Sequence, residues 1–169
     1  MKLIVAVDEN WGIGYKGELL ARVRADLLNF RKLTEGHVVV LGSKTLSTFP
    51  GGRPLKNRTN IVLSRKKDYS PEGALVAHSV DELLGMLSEY DPDEVYVIGG
   101  ESIYTQMLPY CDTAIVTKFE KSFESDAKMP NLDKLDGWQL CEQSERFESN
   151  PETDTPNISY TFCTYKKLN

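Results

Sequence analysis

The segment Glu94-Val-Tyr-Val-Ile-Gly-Gly-Glu-Ser-Ile-Tyr104 passes from strand to helix with only two glycines between. Val95, Tyr96, Val97 and Ile98 favour a strand. Ile103, Met107 and Leu108 then recur at i, i+4 and i+5, a helical spacing. Gly99 and Gly100 leave bare backbone N–H groups near the positive end of a helix, which suits the phosphates of a nucleotide. The competing reading is a tight turn in which glycine only relieves strain. Either way, a buried strand feeding a helix predicts an α/β fold.

Working outward, the same alternation repeats. Residues 2–7 read as a buried first strand, and residues 8–21 as a long loop carrying Gly12, Gly14 and Gly17. A helix is expected over about 23–34, followed by a β-branched strand from His37 to Leu41 and a short helical turn from Thr45 to Phe49. Strands are expected at 59–64, 74–78 and 113–118, and helices at 80–90 and 101–109. Ser79 is placed to cap the first of these helices, with Glu82 as its capping-box partner. The tail, 138–147 and 157–166, reads as two antiparallel strands. The expected fold is therefore α/β: residues 1–169 as a single domain, a mostly parallel central sheet of about eight strands with a C-terminal antiparallel hairpin, and helices on both faces.

Bulk properties narrow the function. The 169 residues fit one domain, and 40% hydrophobic with 27% charged residues supports a sizeable core. A net charge of −5 argues against a nucleic-acid or anionic-membrane partner. Cys111, Cys141 and Cys163 have no paired spacing, and His37 and His78 are the only histidines, so neither a disulfide framework nor a metal site is expected. Free thiols and an apolar start cut short by Asp8 point to a soluble, cytoplasmic protein.

Gly12-Ile-Gly-Tyr-Lys-Gly17 matches a dinucleotide fingerprint in letters only. Asp8 to Trp11 separate it from the strand, so a mobile loop over a site is the better reading. Val23, Leu27, Phe30 and Thr34 form one helical stripe, and Asp26 falls on it. An acid on an apolar stripe is costly without a partner. It either serves the first turn of the helix or binds a cationic, amidine-like ligand and helps move a proton. Gly42-Ser-Lys-Thr45, Ser64-Arg65 and Gly99 to Ser102 all follow strand ends, where open α/β sheets bind ligands, and together suggest one extended anionic ligand. Arg58 at a strand entrance either forks onto a carboxylate or is an ordinary loop arginine.

In this order the features resemble the dihydrofolate reductase family over nearly the whole chain. The carriers are Ile4 and Ala6; Trp11-Gly-Ile-Gly14; Asp26 with Phe30; Gly42 with Thr45; Arg53-Pro-Leu; Arg58-x-Asn-Ile-Val-Leu-Ser64; Val97-Ile-Gly-Gly100 with Tyr104; Thr117; and Asp126 with Pro130. The resemblance implies reduction of 7,8-dihydrofolate to tetrahydrofolate by hydride transfer from NADPH, sensitivity to antifolate inhibitors, and a monomer. It casts Asp26 as the acid that binds the pterin and supports protonation, with Thr117 linked to it. Ile4, Val5, Leu19, Leu27, Phe30, Arg53, Arg58 and Ile98 are implied substrate contacts, Arg58 holding the glutamate carboxylate. Ala6, Ile13 and Gly14 are implied at the nicotinamide. Gly99, Gly100, Glu101 and Ser102, with Thr45, are implied at the pyrophosphate, and Gly42, Ile103 and Tyr104 as further cofactor contacts. Lys44, Ser64 and Arg65 are implied at the 2′-phosphate and adenine end, with His78 flanking the adenine, and Ser43 and Leu63 as further cofactor contacts. No metal is implied.

The chain departs from the family pattern before the acid. Ala21 stands where a tryptophan is usual, and Leu20 and Arg24 where prolines are common; Ser43 replaces a usual basic residue. An alternative is a reductase of the same fold acting on a pyrimidine intermediate of riboflavin synthesis or on another pterin.

Overall fold

The computed structural model describes residues Met1–Asn169. Strand β1 is Lys2–Val7, with Leu3, Ile4, Val5 and Val7 buried. Strands β2 (Gly12–Tyr15) and β3 (Glu18–Leu19) follow. Helix α1 is Arg24–Thr34. Strand β4 (Val38–Gly42) is buried at all five positions, as three valines and a leucine in a doubly covered strand should be. Helix α2 (Ser43–Thr48) starts at once and ends in a 3-10 turn, Pro50–Gly52. Strands β5 (Thr59–Leu63) and β6 (Leu75–Ala77) lead to helix α3 (Val80–Leu87). Strand β7 (Val95–Gly99) runs into helix α4 (Glu101–Met107). Strands β8 (Thr113–Phe119), β9 (Ala127–Lys128), β10 (Trp138–Gln143), β11 (Phe147–Glu148) and β12 (Ser159–Lys167) complete the chain.

Eight strands form the main sheet in the order β10-β12-β8-β1-β7-β4-β5-β6, and β11 pairs with β12 off that path. The pairs β1·β7, β7·β4, β4·β5 and β5·β6 are parallel. The pairs β8·β12 and β12·β10 are antiparallel. The expected mostly parallel sheet with an antiparallel C-terminal pair is what forms.

Residues 8–21 differ from the expected loop. Here β2 and β3 form a hairpin, and β9 pairs with β2 to make a separate three-stranded sheet. Tyr15 pairs with Glu18, so Lys16 and Gly17 are the two turn residues, both at positive φ (50° and 80°). That is the geometry a tight hairpin favours, but Lys at the first turn position lacks the usual Asn or Asp signature. At α3, the Ser79 hydroxyl accepts from the Glu82 amide at 3.0 Å. The returning Glu82 carboxylate accepts from the His78 amide at 2.9 Å, one residue before the cap.

Two compact units make up the chain. The first comprises Met1–Leu3 and Thr34–Cys111, and the second Ile4–Leu33 and Asp112–Asn169. In the first, Val38 to Leu41, Ile61, Val62, Val95 and Val97 are all at most 3% exposed. In the second, Ala21, Val23, Phe119, Ile158 and Tyr160 form a buried cluster, packed on by Ala6, Phe123, Phe147 and Phe162.

Candidate active site

Within the second unit, Asp26 lies in the first turn of α1 and Thr117 in the interior of β8. The Thr117 hydroxyl donates to Asp26 Oδ1 at 2.6 Å. Burial pushes the Asp26 carboxyl above the usual carboxylate range, and the hydrogen bond from Thr117 offsets part of that rise. The pair is thus suited to hold a proton nearer neutrality than a surface aspartate does.

The stripe that carries Asp26 is not simply core. Val23 and Thr34 at its ends are buried, but Leu27 is 40% exposed and Phe30 is half-buried. Apolar side chains left open beside a sheltered acid are what a flat, partly polar ligand needs. On β1, Ile4 and Val5 are buried and Ala6 is half-buried against the Ala21 cluster.

The glycine-rich hairpin is held by two aspartates. Asp8, only 1% exposed, accepts through Oδ1 from the Asn10 and Gly12 amides and through Oδ2 from Phe123. Asp126 Oδ2 accepts from the Lys16 amide at 3.0 Å, and its own amide donates to the Gly14 carbonyl. Ile13 and Gly14 are half-buried, whereas Leu19 is 52% exposed on β3. Asp8 has no role in the sequence-based reading; its signal is the short Asp8-x-Asn10-x-Gly12 turn. Where a tryptophan is expected, Ala21 is buried at 7% exposure.

Within the first unit, the carboxyl ends of β5, β4 and β7 lie level. Gly42 pairs with Leu63, and Leu41 with Gly99. A Cβ on Gly100 would meet Thr45 Oγ1 at 3.1 Å, and one on Gly42 would meet Ile103 Cγ1 at 3.0 Å. Gly99 has φ +126°, a region side chains avoid, and a Cβ there would meet the Tyr104 hydroxyl at 3.3 Å. The result is a bare-backbone shelf walled by Thr45, Ile103 and Tyr104. The Tyr104 hydroxyl donates to the carbonyl of Ile98, one of the implied substrate contacts, at 2.8 Å and engages one of its lone pairs.

Further along the same strand ends, Ser64 is 6% exposed, and its carbonyl oxygen is 2.9 Å from His78 Nδ1. Glu101, Ser102, Lys44 and Arg65 are exposed; Ser43 is half-buried. The structure therefore gathers Gly42, Thr45, Ile98, Gly99, Gly100, Ile103 and Tyr104 tightly, and joins Ser64 to His78. The exposed side chains of Lys44 and Arg65 make no hydrogen bond or ion pair with these residues.

Arg58 Nε donates to Thr34 Oγ1 at 3.0 Å and Nη1 to the Lys56 carbonyl at 2.8 Å. Two faces of the guanidinium are thereby fixed. Thr34 reads as a core position in sequence; its hydroxyl is the missed partner. Asn60 Oδ1 accepts from the Leu55 amide and Nδ2 donates to the Leu55 carbonyl, which fixes the loop containing Arg58. Arg53 in that loop is exposed. No group of three His, Cys, Asp or Glu side chains is placed to hold a metal ion. No helix is long and apolar enough to cross a membrane.

These features meet known proteins over the full chain. The family described as dihydrofolate reductase matches residues 1–167. The chain is 36% identical to dihydrofolate reductase from Bacillus subtilis, covering 100% of this chain and 95% of that protein. It is 42% identical to the Mycobacterium leprae enzyme of the same name over 140 residues, covering 80% and 82%. Among solved structures, dihydrofolate reductase from Enterococcus faecalis, complexed with NADP(H) and RAB-propyl, superposes with a TM-score of 0.87. It is 32% identical, covering 99% of this chain and 96% of that one. A sheltered acid with its threonine, a bare glycine shelf at the strand ends and a match along the whole length lead to one assignment: the chain belongs to the dihydrofolate reductase family.

Proposed function

We infer that the protein reduces 7,8-dihydrofolate to 5,6,7,8-tetrahydrofolate with NADPH as hydride donor, and so serves one-carbon metabolism. The observation that carries this reading is the Asp26–Thr117 pair, a carboxyl with a raised pKa beside the open apolar side chains of Leu27 and Phe30. A reductase of a pyrimidine intermediate is not favoured, since the family match spans residues 1–167 and the relatives named above are dihydrofolate reductases.

The residues present fit NADPH. The shelf at Gly42, Gly99 and Gly100 has no room for a Cβ, so backbone there is available for close approach by a pyrophosphate, with Thr45 and Ser102 beside it. Ser64, Lys44, Arg65 and His78 are proposed at the 2′-phosphate and adenine end, and Ala6, Ile13 and Gly14 at the nicotinamide. NADPH, when bound, supplies the hydride.

The chain's own contribution is binding, orientation and a proton. Asp26 is proposed to accept from the amidine-like edge of the pterin and to support protonation of the ring imine. Thr117 aims that carboxyl and restrains its pKa. Leu27 and Phe30 are proposed to pack on the rings, and Ile4 and Val5 of the same unit to contact the pterin; Ile98 is proposed as a further substrate contact. Arg58, held by Thr34 and Lys56, is proposed to meet a substrate carboxylate. The hairpin of β2 and β3, tied by Asp126, excludes water from the reacting atoms.

Diaminopyrimidine antifolates are proposed ligands of the Asp26 site. The proposed location is the cytoplasm, which suits the free thiols of Cys111, Cys141 and Cys163. The residues 1–169 are proposed as one functional domain acting as a monomer. Dihydrofolate-dependent oxidation of NADPH, followed at 340 nm, tests the assignment; a folded protein that oxidises no NADPH with dihydrofolate present contradicts it.

A further inference from the structure

Trp11, immediately before β2, is only 3% exposed and takes a left-handed backbone, φ 58°, that bulky side chains avoid. Its surroundings must hold it there. The Trp11 amide donates to the Asp8 carbonyl at 3.1 Å, and the Trp11 carbonyl accepts from the Met129 amide at 2.9 Å. The indole packs edge-on against Tyr165, with ring centres 5.8 Å apart and planes at 68°. The Lys118 ammonium lies over the indole, 5.6 Å from its centre, within cation–π range.

One carboxylate locks both of these neighbours. Asp133 Oδ2 accepts from the Lys118 ammonium at 2.8 Å, and Asp133 Oδ1 from the Tyr165 hydroxyl at 2.7 Å. The Asp133 amide in turn donates to Asn131 Oδ1 at 2.9 Å. Burial alone would raise the Asp133 carboxyl, but the bonds from Lys118 and Tyr165 outweigh it and hold the carboxyl below the usual range. The ion pair is partly exposed, so it adds little to stability by itself. What it does is fix where the ammonium and the phenol stand, and both meet the indole. Lys118 directly follows Thr117 on β8, and neighbouring strand residues project from opposite faces. One strand thus serves Asp26 through Thr117 on one face and Trp11 through Lys118 on the other.

We propose that Trp11, Lys118, Asp133 and Tyr165 form an anchor for the root of the β2–β3 hairpin, and that Trp11 and Lys118 are positioning residues for the cofactor. The anchor acts through backbone: Ile13 and Gly14, proposed above at the nicotinamide, lie two and three residues beyond Trp11. It rests on that reading of the cofactor site. Loss of the ammonium lets the indole turn, and the nicotinamide end loses its alignment with the pterin. Hydride transfer then slows and NADPH is held less tightly. Dihydrofolate, bound through Asp26, Leu27 and Phe30, keeps its affinity.

The test compares Lys118→Met, which keeps the stem and removes the charge, with Lys118→Arg, which keeps a cation for Asp133 and the indole. Both are made in a Trp138→Phe parent, which leaves Trp11 as the only tryptophan. Acrylamide quenching of Trp11 fluorescence in the ligand-free protein is the first readout and is independent of activity. The quenching constant rises at least about threefold in Lys118→Met and stays near the parent value in Lys118→Arg. In single-turnover reduction of dihydrofolate, Lys118→Met slows the hydride step by about tenfold. By titration it weakens NADPH by about fivefold, with Kd for dihydrofolate within about twofold, and Lys118→Arg restores both rate and affinity. The anchor is overturned if quenching does not rise in Lys118→Met, if it rises while the hydride step and NADPH affinity stay unchanged, or if Lys118→Arg behaves as Lys118→Met. Loss of dihydrofolate affinity routes the effect through Thr117 and Asp26 and also overturns it. Should Lys118→Met not fold, Tyr165→Phe, which keeps the ring on Trp11 and removes its bond to Asp133, decides by the same readouts. A parent protein that binds NADPH without reducing dihydrofolate counts against the functional reading, while quenching and NADPH affinity still decide the anchor.

Discussion

The Thr117 hydroxyl and the Asp26 carboxylate meet at 2.6 Å, although 91 residues separate them in sequence. The strand supplies a rigid donor and the helix supplies the acid. Desolvation raises the acid's pKa, and the hydroxyl keeps the rise in check.

Replacing Asp26 by Asn keeps shape and removes the titrating group. Turnover at pH 7 falls by more than the ~10²-fold typical of one lost acid–base group. Stability moves the other way. Folding raises the pKa of Asp26, so the native state favours its proton more than the unfolded chain does. That preference stabilises the fold below the unfolded pKa and is lost as pH rises through the folded pKa. Asp26→Asn is therefore less penalised at pH 8 than wild type. Thermal melts should show a difference in Tm that favours the variant at pH 8 and shrinks as pH falls towards 4.

For the wild type, the hydride step should slow as pH rises through the raised Asp26 pKa. Thr117→Val removes the interaction that lowers this pKa, so the inflection moves to higher pH, and the low-pH plateau falls by about tenfold through lost alignment. Single-turnover rates between pH 5 and 9 check both. An unmoved inflection contradicts the role of Thr117.

Gly100→Ala places a methyl group 3.1 Å from Thr45 Oγ1, on the shelf assigned to the cofactor. KM for NADPH should rise at least about tenfold, with KM for dihydrofolate changed less than twofold. Gly99→Ala adds backbone strain at φ +126° and should cost about 1–3 kcal/mol of stability by denaturant unfolding.

Arg58→Ala should weaken dihydrofolate by about 2–3 kcal/mol, the range of a hydrogen-bonded charge pair, and leave a diaminopyrimidine without a carboxylate unaffected. Thr34→Val removes the hydroxyl that accepts from Arg58 Nε and should show the same selectivity at a smaller size. Isothermal titration with the two ligand types separates these outcomes.

Much of this was legible in the chain where local rules conflict or agree strongly. The run Val38 to Leu41 can only be a strand covered on both faces, and all of it is buried. Asp26 stood out because an acid on an apolar stripe needs a reason. Ser79 announced its cap. What stayed hidden depends on distant polar partners or on an unusual turn residue. Arg58 finds Thr34 across 24 residues and Arg24 finds Asp154 across 130, and neither pairing leaves a periodic trace. The hairpin at Lys16-Gly17 was hidden because lysine rarely takes a positive φ. Leu27 reads only as part of an apolar stripe, and its 40% exposure appears once the fold leaves that face open.

The most direct test of the central claim is the rate of NADPH oxidation at 340 nm with dihydrofolate, for wild type and Asp26→Asn at pH 7. Dihydrofolate-dependent turnover in the wild type and its loss by more than ~10²-fold in the variant is the expected result. No turnover in the folded wild type, or near-normal turnover in the variant, contradicts the account.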